Sequence, residues 1–245
     1  MVVTSPPWLR RVEPVLLGVV HLLPLPGSPG YTGSGMGPIL AAARRDAQRL
    51  IEAGFDGYVI ENFGDAPFFK DAVPAHTVSA MTRVATELSR PDKIVGANVL
   101  RNDAASALAV AMAAELDFIR VNVHVGAALT DQGIVEGKAA ETLRLRSSLG
   151  SQVAIVADVD VKHARPLASG YDRREAAKET YGRGGADALI VSGTATGQPV
   201  RLGDLQEIVE AVPDAPVWIG SGATAETARE LLSLARGIIV GTSIK

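Results

Sequence analysis

Apolar positions along the chain fall into short runs with strand character, separated by longer stretches with helical spacing. Eight runs stand out: VLLGVVH (15–21), GYVIENF (57–63), KIVGANV (93–99), FIRVNVHV (118–125), VAIVADVDVKH (153–163), ALIVSG (188–193), VWIGSG (217–222) and GIIVGTS (237–243). Between them lie the amphipathic stretches PILAAARRDAQRLIEAG, AASALAVAMAAEL, REAAKETYGRGG and TAETARELLSLA. Gly54, Gly150, Gly184 and Gly185 sit where such helices should stop. Strands alternating with helices imply parallel βαβ units. Eight units in 245 residues predict an α/β fold, a single-domain (β/α)₈ TIM barrel over residues 1–245, with 1–14 as an N-terminal extension. An open doubly wound sheet is the alternative, but no GxGxxG opens the first βα turn. The sequence stops at Lys245, just past the eighth run, so the closing eighth helix is expected to be absent from it.

Polar residues interrupt these runs with a period of two. In AIVADVDVKH (154–163), Ile155, Ala157, Val159 and Val161 are apolar, while Asp158, Asp160 and Lys162 share the other face. The fourth run repeats the device: Ile119, Val121, Val123 and Val125 should face helices, and Arg120, Asn122 and His124 should face inward. In a barrel, inward residues near the C-terminal strand ends open onto the mouth where active sites form. Other strand ends add His21, Asn98, Ser192, Ser221 and either Glu61 or Asn62, between which strand twist leaves the choice open.

Buried carboxylates need cationic or metal partners, and Arg120, Lys162 and His124 are the cations in reach. Asp160 is the expected general acid or base. Lys162, beside two carboxylates, should stay charged and bind an anion or polarise a carbonyl. The expected catalytic set is therefore Asp160, Lys162, His124, Asp158 and Glu61. His21, Asn62, Asn98, Arg120 and Asn122 are expected to bind substrate. Asp158, Asp160, Glu61 and His124 also offer oxygen-rich ligation to a divalent cation such as Mg²⁺, although no metal motif is present and no cofactor is required.

GSGAT (220–224) and GTS (241–243) follow the last two strands, where barrels often bind phosphate. Thr224 is placed to cap the helix that follows. The loop SGTATGQPV (192–200) adds hydroxyls and glycines. Ser192, Gly193, Thr194, Ser221, Gly222, Gly241, Thr242 and Ser243 are the expected phosphate contacts. The long loops 21–37 and 61–77 are rich in Gly, Pro and aromatics, suited to a lid or a subunit contact.

Composition narrows the picture. Hydrophobic residues make up 47% and aromatics only 4%, so aliphatic side chains must fill the core. A net charge of −3 without a basic cluster argues against nucleic acid. There is no cysteine, hence no disulfide or thiolate chemistry, and a cytoplasmic location is expected. No basic segment with an apolar run opens the chain, and no stretch reaches the roughly 18 apolar residues of a membrane span.

Taken together, GVVHLLPLPGSPGY, DGYVIENFGDAPF, HTVSAMTRVA, RVNVHVGA, ADVDVKHA, LIVSGTATG and IIVGTSIK resemble the BtpA/SgcQ family from about residue 15 to the end. The resemblance implies a (β/α)₈ barrel. The family's founding name comes from photosystem I biogenesis, and other members carry a nucleosidase label. The residues themselves point to an enzyme acting on a phosphorylated sugar or nucleotide-like metabolite by isomerisation, lyase chemistry or glycosidic cleavage. The alternatives are a biogenesis factor for a membrane complex and a phosphometabolite sensor. Further copies of the chain are an expected partner; nucleic acid and membrane insertion are not.

Overall fold

Three short repeats of an acid before a strand, FDGYVI, LDFIRV and ADALIV, set the register at the floor of the molecule. In the computed structural model, which describes residues 6–160, 164–167, 170–193 and 200–241 (the side chains of Arg10, Asp160 and Pro166 excepted), each acid accepts a backbone N–H from the preceding barrel strand. Asp56, before β2 (Gly57–Glu61), accepts from Leu16 of β1 (Val15–His21) at 2.8 Å. Asp117, before β4 (Phe118–Val121), accepts from Val95 of β3 (Ile94–Asn98) at 2.8 Å. Asp187, before β9 (Ala188–Val191), accepts from Ile155 of β7 (Ala154–Asp160) at 2.8 Å. Arg11 pairs with the part-exposed Asp56, and Arg146 pairs with the buried Asp187 and so compensates its charge.

With β10 (Val217–Ile219) and β11 (Gly237–Val240), these strands close an all-parallel barrel in the order β1-β11-β10-β9-β7-β4-β3-β2. The eight strands expected from the sequence are the eight of the barrel. Helices α1 (Met36–Glu52), α2 (Ala75–Leu88), α3 (Ala104–Ala113), α4 (Ala139–Ser148), α5 (Arg173–Lys178), α6 (Leu202–Ala211) and α7 (Ala225–Leu231) surround it. Asp103 caps α3 through the Ser106 N–H, and Thr224 caps α7 in a reciprocal capping box with Thr227. A π-helical turn, Glu179–Arg183, continues α5.

Inward positions alternate as expected. Leu17, Val19, Val59, Phe118, Val156, Ile190, Trp218 and Ile239 fill the interior. Gly96 makes this possible, because a Cβ there would stand 2.4 Å from the Phe118 ring. The 3-10 turn Pro7–Arg10 closes the floor: Trp8 lies 5.7 Å, centroid to centroid, from both Phe118 and Trp218, and Leu9 is buried beside them.

One excursion was not anticipated. After β4 the chain forms a hairpin, β5 (Ala127–Thr130) and β6 (Gly133–Glu136), and β8 (Arg165–Pro166) adds to β5 as a third antiparallel strand. Gly133, at φ +91°, turns the hairpin, and the Thr130 hydroxyl holds it by accepting from the Gln132 N–H and donating to the Gly133 carbonyl. This small sheet stands at the C-terminal ends of β4 and β7.

Candidate active site at the barrel mouth

The same inward alternation that fills the barrel with aliphatic side chains ends, one layer higher, in polar groups: His21, Glu61, Asn98, Arg120, Asn122, Asp158 and Ser192. Arg120 is the hub. Its Nε and Nη2 donate to Asp158 at 3.0 Å each, a two-pronged contact, and its Nη1 reaches Glu61 at 3.5 Å. Asn122 Nδ2 donates to Asp158 at 2.9 Å, and the Ser192 hydroxyl donates to Asp158 at 3.5 Å. Asn98 Nδ2 donates to Glu61 Oε1 at 3.1 Å, and His21 Nε2 lies 3.6 Å from Glu61 Oε2. Burial opposes the Arg120 charge, but the Asp158 and Glu61 carboxylates outweigh it and raise its pKa.

Gly220, the residue just after β10, leaves the space that Arg120 uses. A Cβ at 220 would fall 2.7 Å from Ser192 Oγ and 3.1 Å from Arg120 Nη2. Arg101, not singled out from the sequence, feels the charges of the same network: burial lowers its pKa, while Asp158, Asp131 and Glu61 act to raise it. It lies in the loop after β3, outside any strand alternation, so strand periodicity carries no signal for it. Phe63 stacks on His21 with ring centroids 4.3 Å apart and leaves its other side at the mouth.

Twist resolves the pair left open by the sequence. Glu61 joins the network, whereas Asn62 ties two loops together: its Oδ1 accepts from Leu100 N at 2.8 Å, and its Nδ2 contacts Asp65 at 3.2 Å and the Leu100 carbonyl at 3.5 Å. Asn62 is therefore engaged in loop bonds rather than placed with the network. His124 departs from the expected inward face. β4 ends at Val121, the chain turns outward, and His124 Nε2 donates to the Gly184 carbonyl at 2.8 Å behind the barrel wall. Burial lowers its pKa, against the opposing pull of the Gly184 bond, and its Nδ1 has no partner among the described residues. The set Asp158, Glu61 and His124 therefore does not converge on one ion: Arg120 stands between the two carboxylates and His124 is elsewhere. No group of three metal-ligating side chains occurs among the described residues.

The Asp160 backbone ends β7 after a register shift between Asp158 and Asp160, but its side chain, with Lys162, Thr194, Thr242 and Ser243, lies outside the described residues. Of the remaining phosphate-loop positions, Ser192 reaches Asp158 and Gly193 follows it. The Ser221 hydroxyl is buried without a partner among the described residues, Gly222 has φ +78°, and Gly241 sits against Val19.

A family model, described as BtpA family, matches residues 12–245. The chain belongs to the BtpA family. A Synechocystis relative called photosystem I biogenesis protein BtpA is 48% identical over 94% of this chain and 80% of that one. An uncharacterised Pyrococcus abyssi protein is 46% identical over 94% and 87%, and a Caenorhabditis elegans protein described as mitochondrial is 34% identical over 97% and 87%. Among solved structures, phosphoribosyl anthranilate isomerase from Thermus thermophilus is similar with a TM-score of 0.54, 11% identity and coverage of 94% and 88%. A 2,3-dimethylmalate lyase follows at 0.55, 14%, 95% and 75%. These likenesses establish the TIM-barrel fold of the BtpA-family chain. No helix among the described residues is long and apolar enough to cross a membrane.

Proposed function

We propose that this BtpA-family protein is an enzyme acting on a small phosphorylated sugar or nucleotide-like metabolite by acid–base chemistry at the barrel mouth. One observation carries the reading: Glu61, Arg120 and Asp158, drawn from three strands, form a buried charge network at the C-terminal rim. Bracing a barrel needs no such network at the rim, and buried charge has a desolvation cost that packed aliphatics avoid.

The network divides the labour. Asp158 accepts from Arg120, Asn122 and Ser192, which makes it a holder of those groups rather than a base. Glu61 faces His21, whose side chain is 20% exposed against 8% for Glu61. A carboxylate behind an imidazole fixes its orientation and strengthens it as a base, so His21 carries the proton and Glu61 supports it. Asp160 is a second proton carrier in this reading. Lys162, with Arg120, stabilises the anion that develops as the proton leaves. The phosphate is assigned to the loops after β9, β10 and β11, through Ser192, Gly193, Thr194, Ser221, Gly222, Gly241, Thr242 and Ser243. Isomerisation, aldol-type cleavage and glycosidic cleavage all fit this set. A cytoplasmic, self-associating protein is part of the reading, and Mg²⁺ enters as an arm of the test.

The test is turnover by E61Q, H21N and D160N on the sugar phosphate or nucleotide that most raises the melting temperature, with and without Mg²⁺. Loss of turnover with binding retained supports the assignment; wild-type turnover in all three refutes it.

A second reading, an assembly factor for a membrane complex, is favoured by the relative's name and by one surface feature. Leu129 and Ile134 face each other across β5 and β6, and both are nearly half exposed. Partner capture that survives E61Q and R120M but fails with L129S/I134S would favour it.

A further inference from the structure

Beside the charge network, between the ends of β4 and β7 and beneath the β5–β6–β8 sheet, lies a chamber of about 110 Å³. That is the liquid volume of about three or four waters. Asn122 and Asp158 form its inner end; Thr180, Glu179, Tyr171 and Arg165 lie farther along its walls. Asn122 is only 5% exposed, and its amide has a fixed sense. Asp158 is held by Arg120 as a carboxylate and can only accept, so Asn122 must turn Nδ2 toward it. The other end of the amide, Oδ1, is then a buried acceptor with no partner among the described residues. Such an atom is costly unless something donates to it.

Resting on the reading of the mouth as an active site, we propose that this chamber is the subsite for the hydroxyl-bearing end of a polyol substrate, with Asn122 Oδ1 accepting from a substrate hydroxyl. The walls choose the chemistry. Asn122 Oδ1 and the carboxylates of Asp158 and Glu179 are acceptors, and the Tyr171 hydroxyl already donates to the Val159 carbonyl at 3.1 Å. Arg165 and Thr180 supply donors farther along the walls, but at the inner end, beside Asn122 Oδ1 and Asp158, a ligand must bring donors. A phosphate, which brings acceptors and negative charge, is disfavoured at this inner end beside Asp158, since the one arginine on the walls, Arg165, is exposed at the outer part. It belongs on the β10 and β11 side of the ring, which places the substrate across the mouth with its charged end and its hydroxyl end on different walls.

The experiment measures binding by melting shift and calorimetry for tetrose, pentose and hexose phosphates, their deoxy counterparts, the unphosphorylated sugars and inorganic phosphate. It uses the wild-type chain and two space-filling variants, A128L from the roof and A176L from α5, both of which line the chamber without touching the charge network. At least one polyol phosphate should bind, with affinity falling about tenfold when a hydroxyl is removed or either variant fills the chamber. Inorganic phosphate should bind all three proteins alike. Unphosphorylated polyols that bind equally well and are lost in the variants would support the chamber while refuting the phosphate assignment. Binding that ignores both hydroxyl content and the variants would overturn the chamber and leave the phosphate reading standing. The deoxy comparison needs no variant, so misfolding of A128L and A176L cannot protect the proposal. The absence of binding by any polyol, phosphorylated or not, would overturn it.

Discussion

Arg120 is the residue on which the mouth depends. It is the cation held between Glu61 and Asp158, and replacing it with Met would leave two buried carboxylates facing each other. R120M should lose about 3–5 kcal/mol, read as a lowered denaturant midpoint with an unchanged slope. If R120M melts like the wild type, Arg120 is not compensating the two carboxylates. Gly220 is coupled to it: G220A drives a methyl group against Ser192 and the Nη2 of Arg120 and should cost about 1–3 kcal/mol. His124 gives a pH signature instead. Its folded pKa is lowered, so between that value and the ordinary value of about 6.5 the unfolded chain binds more protons than the folded one. Stability from this residue is present above about 6.5 and is lost as pH falls. The wild-type midpoint should drop more steeply from pH 7 to 5 than that of H124Q; equal slopes would show that the ring titrates normally.

At the scale of elements, the floor is held by acids and by an aromatic plug. Asp187 serves both the Ile155 N–H and Arg146, and D187A should cost about 3–5 kcal/mol by stranding a buried arginine. Trp8 sits on Phe118 and Trp218, so W8A should cost about 3 kcal/mol and open the barrel floor. Neither should alter ligand affinity at the mouth, and a changed affinity would show that floor and mouth are coupled. These elements also mark what the sequence makes legible. A period of two is a strong signal while a strand persists, which is why the eight strands and the inward His21, Asn98, Arg120, Asn122 and Asp158 are readable from pattern alone. The signal fails where the strand stops. β4 ends before His124, which turns outward, and Asn62 lies past the end of β2, where loop bonds decide its direction. AALTDQGIVE is too short and too mixed to announce a hairpin, and Arg101 and Trp8 reach their partners through loops whose course only tertiary packing fixes.

For the whole molecule, polarity is segregated along the barrel axis. Aliphatic layers and Trp8 seal one end, and the charged layer of Glu61, Arg120 and Asp158 sits at the other, where the loops and the added β5–β6–β8 sheet rise around it. A barrel arranged in this way is suited to hold a small polar molecule, which is the central claim. Its most direct test is the melting curve of the full chain against phosphosugars, nucleotides and their unphosphorylated partners, with and without Mg²⁺. A ligand at about 100 times its dissociation constant adds roughly 2.7 kcal/mol. The account predicts a shift of that size for at least one phosphorylated polyol or nucleotide, diminished when the phosphate is removed and abolished in R120M; a flat screen on well-folded protein would contradict it.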